Sequence, residues 1–283
     1  MEIFRKVADM QAFAKKAIRE GKKIALVPTM GFLHEGHLSL IDRACAEADV
    51  VIVSIFVNPT QFGPTEDLDK YPRDFQRDKD LCEVRGASAV FAPEPEEMYA
   101  PDRSIWVDEE KLSKKLCGKS RPIHFRGVCT VVSKLFNICL PDVAIFGQKD
   151  AQQALIIKRM VRDLNFPVEI IVSPLIRETN GLAMSSRNKY LTDEQKKDAL
   201  SLSRSLKIAE ELIKSKGLGA YTEAISIMRN EITKCNGDID YIECLDSNTL
   251  EEPVAGTKEL LIALAVKFGT TRLIDNILIG VEQ

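Results

Sequence analysis

The chain reads as an α/β protein, with a Rossmann-like doubly wound parallel sheet followed by a smaller C-terminal α+β domain. Three observations predict this. Short, almost wholly apolar runs alternate with amphipathic stretches up to about Ile176, as expected for strands covered on both faces and joined by helices. Polar motifs recur just past the ends of those runs, at 28–37, 58–61 and 147–150. After residue 184 the alternation stops, and two long helical stretches are followed by three strand-like runs.

In chain order, residues 5–20 form an amphipathic pattern stopped by Gly21. The apolar run Ile24–Val27 is a buried strand, a turn follows at Pro28 and Gly31, and a helix begins near Gly36 with Leu38, Ile41, Cys45 and Ala48 on one face. Val50–Val57 is the next strand, 73–85 a helix, and Ala89–Ala92 a short strand closed by Pro93. Residues 93–124 have no single pattern. A helix is predicted near 126–139, a strand at Val143–Phe146, a helix over 151–163 and a strand at Glu169–Ile176. Thr192 and Gln195 make a capping box that opens a long helix ending at Gly217, and a second helix spans 219–234. The runs 239–245, 259–266 and 272–279 read as strands. The boundary falls between Ile176 and Thr192, giving a Rossmann-like domain over 1–183 and an α+β domain over 184–283.

Length and charge narrow the function. At 283 residues the chain makes one large or two modest domains, and it can bury a sizeable core without staples. A net charge of −3 argues against a broad nucleic-acid footprint. The seven cysteines include no C-x-x-C pair, which reads as free thiols in a reducing cytoplasm. The N-terminus, M-E-I-F-R-K, has no apolar leader core, and no apolar run approaches ~18 residues, so neither secretion nor membrane spanning is expected.

The sharpest chemical signal is Pro28–His37, P-T-M-G-F-L-H-E-G-H, at a strand-to-helix turn. A helix start presents unpaired N–H groups and the positive end of a dipole, which suits an anion. His34 and His37, three apart, can face one ligand there and offset charge during attack at phosphorus. Gly36 lets a nucleotide approach the backbone closely. The plainer alternative is a helix cap with two incidental histidines. Met184-Ser185-Ser186-Arg187-Asn188, with Lys189 beside it, suits a phosphate clamp, or is only a polar linker. Gly147-Gln148-Lys149-Asp150 places a lysine at a strand end, where it could neutralise a transferring phosphoryl group or sit in an ordinary turn. The amides of Gln61 and Gln153 suit a hydroxyl or carboxylate ligand. His124, before an apolar helix, reads as a core or capping residue. No zinc-like spacing, Walker loop, G-x-G-x-x-G after the first strand or G-x-S-x-G occurs.

Taken together, P-T-M-G-x-L-H-E-G-H, V-N-P-T-Q-F, Y-P-R, R-P-x-H-F-x-G-V, F-G-Q-K-D-x-Q-Q and G-L-A-M-S-S-R-N-x-Y-L, with L-I-D-N near the C-terminus, resemble the pantoate–β-alanine ligase family through nearly the whole chain. The wider resemblance is to the H-x-G-H nucleotidyltransferases and the class I aminoacyl-tRNA synthetases. It implies an ATP-dependent ligase that joins (R)-pantoate to β-alanine through pantoyl adenylate, releasing pyrophosphate and then AMP.

It also implies roles. His34 and His37 stabilise the triphosphate, with His37 the usual proton donor, and Lys149 steadies the α-phosphate. Met30, Gly31, Phe32, Leu33, His34, Glu35, Gly36 and His37 line the ATP site, together with Gly147, Gln148, Lys149, Asp150, Ile176, Met184, Ser185, Ser186 and Arg187. Gln61 and Gln153 hold pantoate, Gln61 also lying near β-alanine, with Asn58 and Tyr71 as second contributors. A cytoplasmic, Mg²⁺-dependent homodimer is implied, with neither nucleic acid nor membrane as partner. Ile123 stands where the family pattern has Gly, and Asn180 where Asp is commoner.

Two other readings follow from the residues. A simple nucleotidyltransferase with a phosphorylated acceptor would favour Arg or Lys where Gln61 and Gln153 stand. An RNA-binding synthetase-like module would need a basic stripe with aromatics, which the composition does not supply.

Overall fold

The computed structural model describes residues 1–64 and 66–281. It divides into two compact units. The first comprises Met1–Ser113, Arg121–Gln148 and Gln152–Pro174; the second comprises Lys114–Ser120, Lys149–Ala151 and Leu175–Gln283.

The first unit is built on six parallel strands: β1 (Glu2–Phe4), β2 (Ile24–Thr29), β3 (Val50–Ile55), β4 (Ala89–Phe91), β5 (Val143–Gly147) and β6 (Glu169–Ser173), in the order β1-β4-β3-β2-β5-β6. Helices α1 (Val7–Arg19), α2 (Glu35–Glu47), α3 (Phe75–Val84), α4 (Pro95–Met98), α6 (His124–Cys139) and α7 (Ala151–Asp163) connect them, while the single turn α5 (Cys117–Ser120) belongs to the second unit. β2 pairs on one side with β3, from Ile24↔Val50 to Thr29↔Ile55, and on the other with β5, at Ala25↔Val143. The chain therefore winds outward from β2 in both directions, which is the doubly wound sheet the sequence predicts. The order reverses between β2 and β5, and ligands in such sheets bind beyond the carboxyl ends at that point. The turn 28–37 leaves β2 there, and Gly147-Gln148 closes β5.

The apolar run Ile24–Val27 is fully buried, as its composition requires. Several boundaries differ from the sequence reading. β1 has no sequence signal: three residues are too few to show a period, and the strand exists by pairing Glu2–Phe4 with Ala89–Phe91 of β4. β3 ends at Ile55 rather than Val57, because the chain leaves the ladder to enter the 3₁₀ turn Pro59–Gln61. β6 ends at Ser173, before Pro174, which has no N–H for the ladder. α6 starts at His124, earlier than the apolar pattern shows, and is buried almost all round.

α6 also packs backbone to backbone on the turn after β3. A Cβ added at Gly127 would fall 2.5 Å from the Thr60 carbonyl oxygen and 2.7 Å from the Gln61 Cα, so only glycine allows this approach. The R-P-x-H-F-x-G-V motif thus seats the loop that carries Gln61.

The second unit holds α8 (Asp193–Lys216), α9 (Tyr221–Lys234) and an antiparallel meander of β7 (Asp238–Asp246), β8 (Glu259–Phe268) and β9 (Thr271–Gly280). The predicted capping box is present: Gln195 N donates to Thr192 Oγ1 at 3.2 Å, and Thr192 N to Gln195 Oε1 at 3.0 Å. Leu202, Leu206, Ala209 and Ile213 of α8 pack with Met228 and Ile232 of α9 over Leu260, Ile262, Leu264 and Val266 of β8.

The longest stretch of this unit runs from Leu175 and opens with a short hairpin in which Arg177 and Ala183 pair, and Arg177 forks onto Asp275 of β9 at 2.6 and 3.0 Å. That ion pair attaches the hairpin to the small sheet, and no periodicity reports it. All seven cysteines are free thiols. Among the described residues no helix is long and apolar enough to cross a membrane.

Candidate active site

The turn after β2 is held by backbone N–H groups that donate to side chains. Gly31 N donates to Thr29 Oγ1 at 3.1 Å, and Thr29 Oγ1 itself donates to the Ser54 carbonyl at 2.8 Å. Phe32 N and Leu33 N donate to the two oxygens of Asp78, at 2.6 and 2.7 Å. His34 N donates to His37 Nδ1 at 3.4 Å, and Gly36 N to His34 Nδ1 at 3.2 Å. His34 is thus the N-cap of α2, and His37 completes a capping box built from two imidazoles.

This geometry fixes the tautomers. A ring nitrogen that accepts from a backbone N–H carries no proton, so each neutral ring has its hydrogen on Nε2. The rings lie 4.1 Å apart, centroid to centroid, and tilted by 34°. The start of α2 therefore carries two neighbouring Nε2–H donors beside the positive end of a helix dipole, an arrangement suited to phosphate oxygens.

Gln61 lies at the end of the turn after β3 and is mostly buried. Its amide polarity can be worked out. Asn58 accepts through Oδ1 from Thr60 N at 3.3 Å and from Tyr99 Oη at 2.8 Å. Asn58 Nδ2 donates to the Gly127 carbonyl and to Gln61 Oε1, both at 3.1 Å. Because Thr60 N can only donate and the Gly127 carbonyl only accept, Asn58 has one possible orientation. Gln61 consequently turns its oxygen toward Asn58 and its NH₂ toward Met30, whose Sδ lies 3.2 Å from Nε2. A group presenting N–H donors selects an oxygen acceptor. The Gln61 carbonyl is held from behind by His124 Nδ1 at 3.0 Å and Arg121 Nη2 at 3.3 Å. His124, with no role from its sequence position, thus steadies the Gln61 backbone.

Of the other residues in this unit, Asn58 is 1 % exposed and sits behind Gln61. Tyr71 is buried edge-on against Phe62, with ring centroids 6.2 Å apart. Gln153 is on the first turn of α7, next to Gln152, whose Nε2 donates to the Leu112 carbonyl at 2.8 Å. Glu35 pairs with Arg85 at 2.8 Å on the surface.

In the second unit, Lys149 is partly buried, and Asn276 Nδ2 of β9 donates to its carbonyl at 2.9 Å. Burial, reinforced by the Arg187 charge, pushes the Lys149 ammonium below the usual lysine range, while Asp150 and Asp275 pull it back. Met184 N donates to the Ile176 carbonyl at 3.0 Å, which brings these two candidate residues together. Ser185 Oγ caps the 3₁₀ turn Ser186–Tyr190 by accepting from Arg187 N at 3.3 Å. Asn188 anchors the segment by donating to Glu178 at 2.7 Å and to the Ala183 carbonyl at 3.0 Å.

The two departures from the family pattern are harmless on geometry. Ile123 has φ −94° and ψ −10°, an ordinary helical conformation that does not call for glycine. Asn180 Oδ1 accepts from Leu182 N at 3.0 Å, as an aspartate oxygen also could. Sequence reasoning missed Asp78, Tyr99 and Asn276. Each acts through one hydrogen-bonding group on a distant element, and a spacing pattern carries no signal for that.

A family model described as Pantoate-beta-alanine ligase matches residues 2–278. Among curated relatives, the pantothenate synthetase of Thermotoga neapolitana is 54% identical, the match covering 99% of this chain and 100% of that one. That of Moorella thermoacetica is 55% identical over the full length of both. Among solved structures, the pantothenate synthetase of Thermus thermophilus superposes with a TM-score of 0.91 at 41% identity, covering 98% and 99% of the two chains. The pantoate–β-alanine ligase of Francisella tularensis, solved with a β,γ-ATP compound and β-alanine, gives 0.81 at 35% identity over 98% and 97%. On the agreement of family, relatives and fold, the chain belongs to the pantoate–β-alanine ligase family.

Proposed function

We propose that the chain carries out its family's reaction in two steps, with the following division of labour. ATP binds with its triphosphate at the start of α2, where the Nε2–H groups of His34 and His37 donate to phosphate oxygens. Pantoate is held by Gln61 and Gln153 and attacks the α-phosphorus through a carboxylate oxygen. The O–P bond forms, the bond to the β-phosphate bridging oxygen breaks, and pyrophosphate leaves. The Lys149 ammonium offsets the charge that builds on the α-phosphate, and His37 donates toward the departing pyrophosphate. The β-alanine amine then attacks the acyl carbon, AMP leaves, and the amine proton is lost as the amide forms.

Met30–His37, Gly147–Asp150, Ile176 and Met184–Arg187 supply the remaining ATP contacts, with Asn58 and Tyr71 contributing behind Gln61. Among the described residues no group of three or more His, Cys, Asp and Glu could hold a metal ion. Magnesium is proposed to enter with the nucleotide, bound mainly through phosphate oxygens. The enzyme is further proposed to work as a cytoplasmic homodimer, on the strength of its family membership.

The observation that carries this reading is the paired imidazole cap with its two Nε2–H donors, beside a Gln61 amide oriented to receive an oxygen. It also favours a ligase over a transferase with a phosphorylated acceptor, since the acceptor contact is an uncharged amide. Incubation with MgATP and pantoate, without β-alanine, should release pyrophosphate and leave an enzyme-bound adenylate. Release of ADP would place the attack at the γ-phosphorus and overturn the scheme.

A further inference from the structure

We infer that Asp78 is a positioning residue for adenylate formation: its carboxylate takes up the two backbone amides just ahead of His34 and thereby sets where the two imidazoles point. This rests on the reading of His34 and His37 as phosphate ligands.

Gly31 and the non-glycine Phe32 both adopt positive φ, +83° and +51°. The turn brings the successive N–H groups of Phe32 and Leu33 onto a single carboxylate. Phe32 is strained there, because an aromatic side chain gains nothing from positive φ. A fixed partner must hold it. That partner is Asp78 on α3, 46 residues along the chain and 1 % exposed, with one carboxylate oxygen on Phe32 N and the other on Leu33 N. Both oxygens accept, as a carboxylate's do; burial raises the pKa of this carboxyl, while the Leu33 and Phe32 amides and Arg77, whose Nη1 lies 3.6 Å away, pull it back down. The fit is close on the far side as well, since a Cβ at Gly31 would lie 3.0 Å from Asp78 Oδ2 and from Ile55 Cγ2. Arg77, the residue before, places its guanidinium 5.4 Å from the Phe32 ring centre.

Two consequences follow. The amides of Phe32 and Leu33, which an incoming phosphate would otherwise find, are already occupied. The phosphate is therefore directed one step further along the chain, to the imidazoles and the first turn of α2. The path into His34 is also fixed, and with it the capping geometry that holds each Nδ1. Leu33, between Asp78 and His34, is fully buried and transmits that constraint.

The test is Asp78→Asn, which keeps shape and volume but cannot accept from both amides. The rate of pyrophosphate release with MgATP and pantoate should fall by about 10- to 100-fold, the order expected when reacting groups shift by ~1 Å. The KM for pantoate should stay within a factor of about three, because Gln61 is held by a separate network. Gly31→Ala, which presses a methyl group on Asp78 Oδ2, should give the same split. The double variant should lose about as much as the larger single one, as expected for residues acting through one turn. In His-labelled protein, the Nδ1 resonances of His34 and His37 should move in Asp78→Asn.

Wild-type turnover in folded Asp78→Asn, or unmoved imidazole resonances, would overturn the inference. So would a loss shared equally between kcat and the pantoate KM. If Asp78→Asn does not fold, Asp78→Glu decides by the same criteria, since it keeps the charge but displaces the two amide contacts. His37→Ala run in parallel separates the two levels: full activity there removes the phosphate-ligand reading itself, whereas its loss alongside an unaffected Asp78→Asn removes only this inference.

Discussion

Replacing His37 by alanine should lower the rate of adenylate formation by about 10²–10³-fold, equivalent to ~3–4 kcal/mol, with little effect on the fold. The size follows from what is removed. In the proposed scheme His37 presents an Nε2–H donor where negative charge develops as pyrophosphate leaves, and water takes its place poorly because it is not pre-oriented. The small structural effect follows from the cap geometry. The bond lost is the 3.4 Å contact from His34 N, a cap interaction worth about 1 kcal/mol or less. α2 stays anchored by Leu38 and Ile41, both buried. Stopped-flow pyrophosphate release and a thermal melt check the two halves. His34→Ala should cost more stability, since His34 is the N-cap itself.

The second large effect is expected at Lys149. Lys149→Met should abolish adenylate formation, again by at least about 10²-fold, while the melting temperature at neutral pH stays at or above the wild-type value. The sign is set by burial, which disfavours the ammonium and lowers its pKa. A lysine with a depressed folded pKa carries its full stability cost below that pKa; the cost shrinks as pH rises above it and is gone only past the unfolded value, ~10.4. Methionine removes the cost at every pH. The same shift predicts a pH profile. Adenylate formation in the wild type should decline on the alkaline side at a pH below that of an ordinary lysine, ~10.4, as the ammonium is lost. That limb should be absent from the residual activity of Lys149→Met. A wild-type limb at or above the ordinary lysine value would show that the ammonium acts from an exposed position.

The contrast between these residues and Asp78 shows what the sequence could and could not convey. β2, β3 and β5 are legible because strands buried on both faces need unbroken apolar runs, and Ile24–Val27 and Val143–Phe146 are such runs. The capping box of α8 is legible because its partners are three residues apart. β1 is not, because three residues acquire strand geometry only from a partner found at Ala89–Phe91.

At the site, the histidine pair and Lys149 stand out because their chemistry is unusual at a strand end. Gln61 stands out as an amide, but its polarity cannot be read from the chain. That polarity depends on Tyr99, Asn58 and Gly127, which meet only in the folded protein. The hairpin that carries Arg177 is not legible in the chain, because its ion pair with Asp275 leaves no periodic trace. Pantoate itself is named by resemblance, since local physics reaches only an oxygen acceptor beside a triphosphate.

The central claim is that pantoate is activated by becoming an acyl adenylate, and an oxygen label tests it directly. With pantoate carrying ¹⁸O in both carboxylate positions, one labelled oxygen becomes the bridge to the α-phosphorus. When the amine attacks the acyl carbon, the carbon–oxygen bond breaks and that oxygen leaves with AMP. Mass analysis of a single turnover with MgATP and β-alanine should find one ¹⁸O in AMP and the other in the amide carbonyl of the product. Unlabelled AMP, with the label in inorganic phosphate instead, would contradict the account.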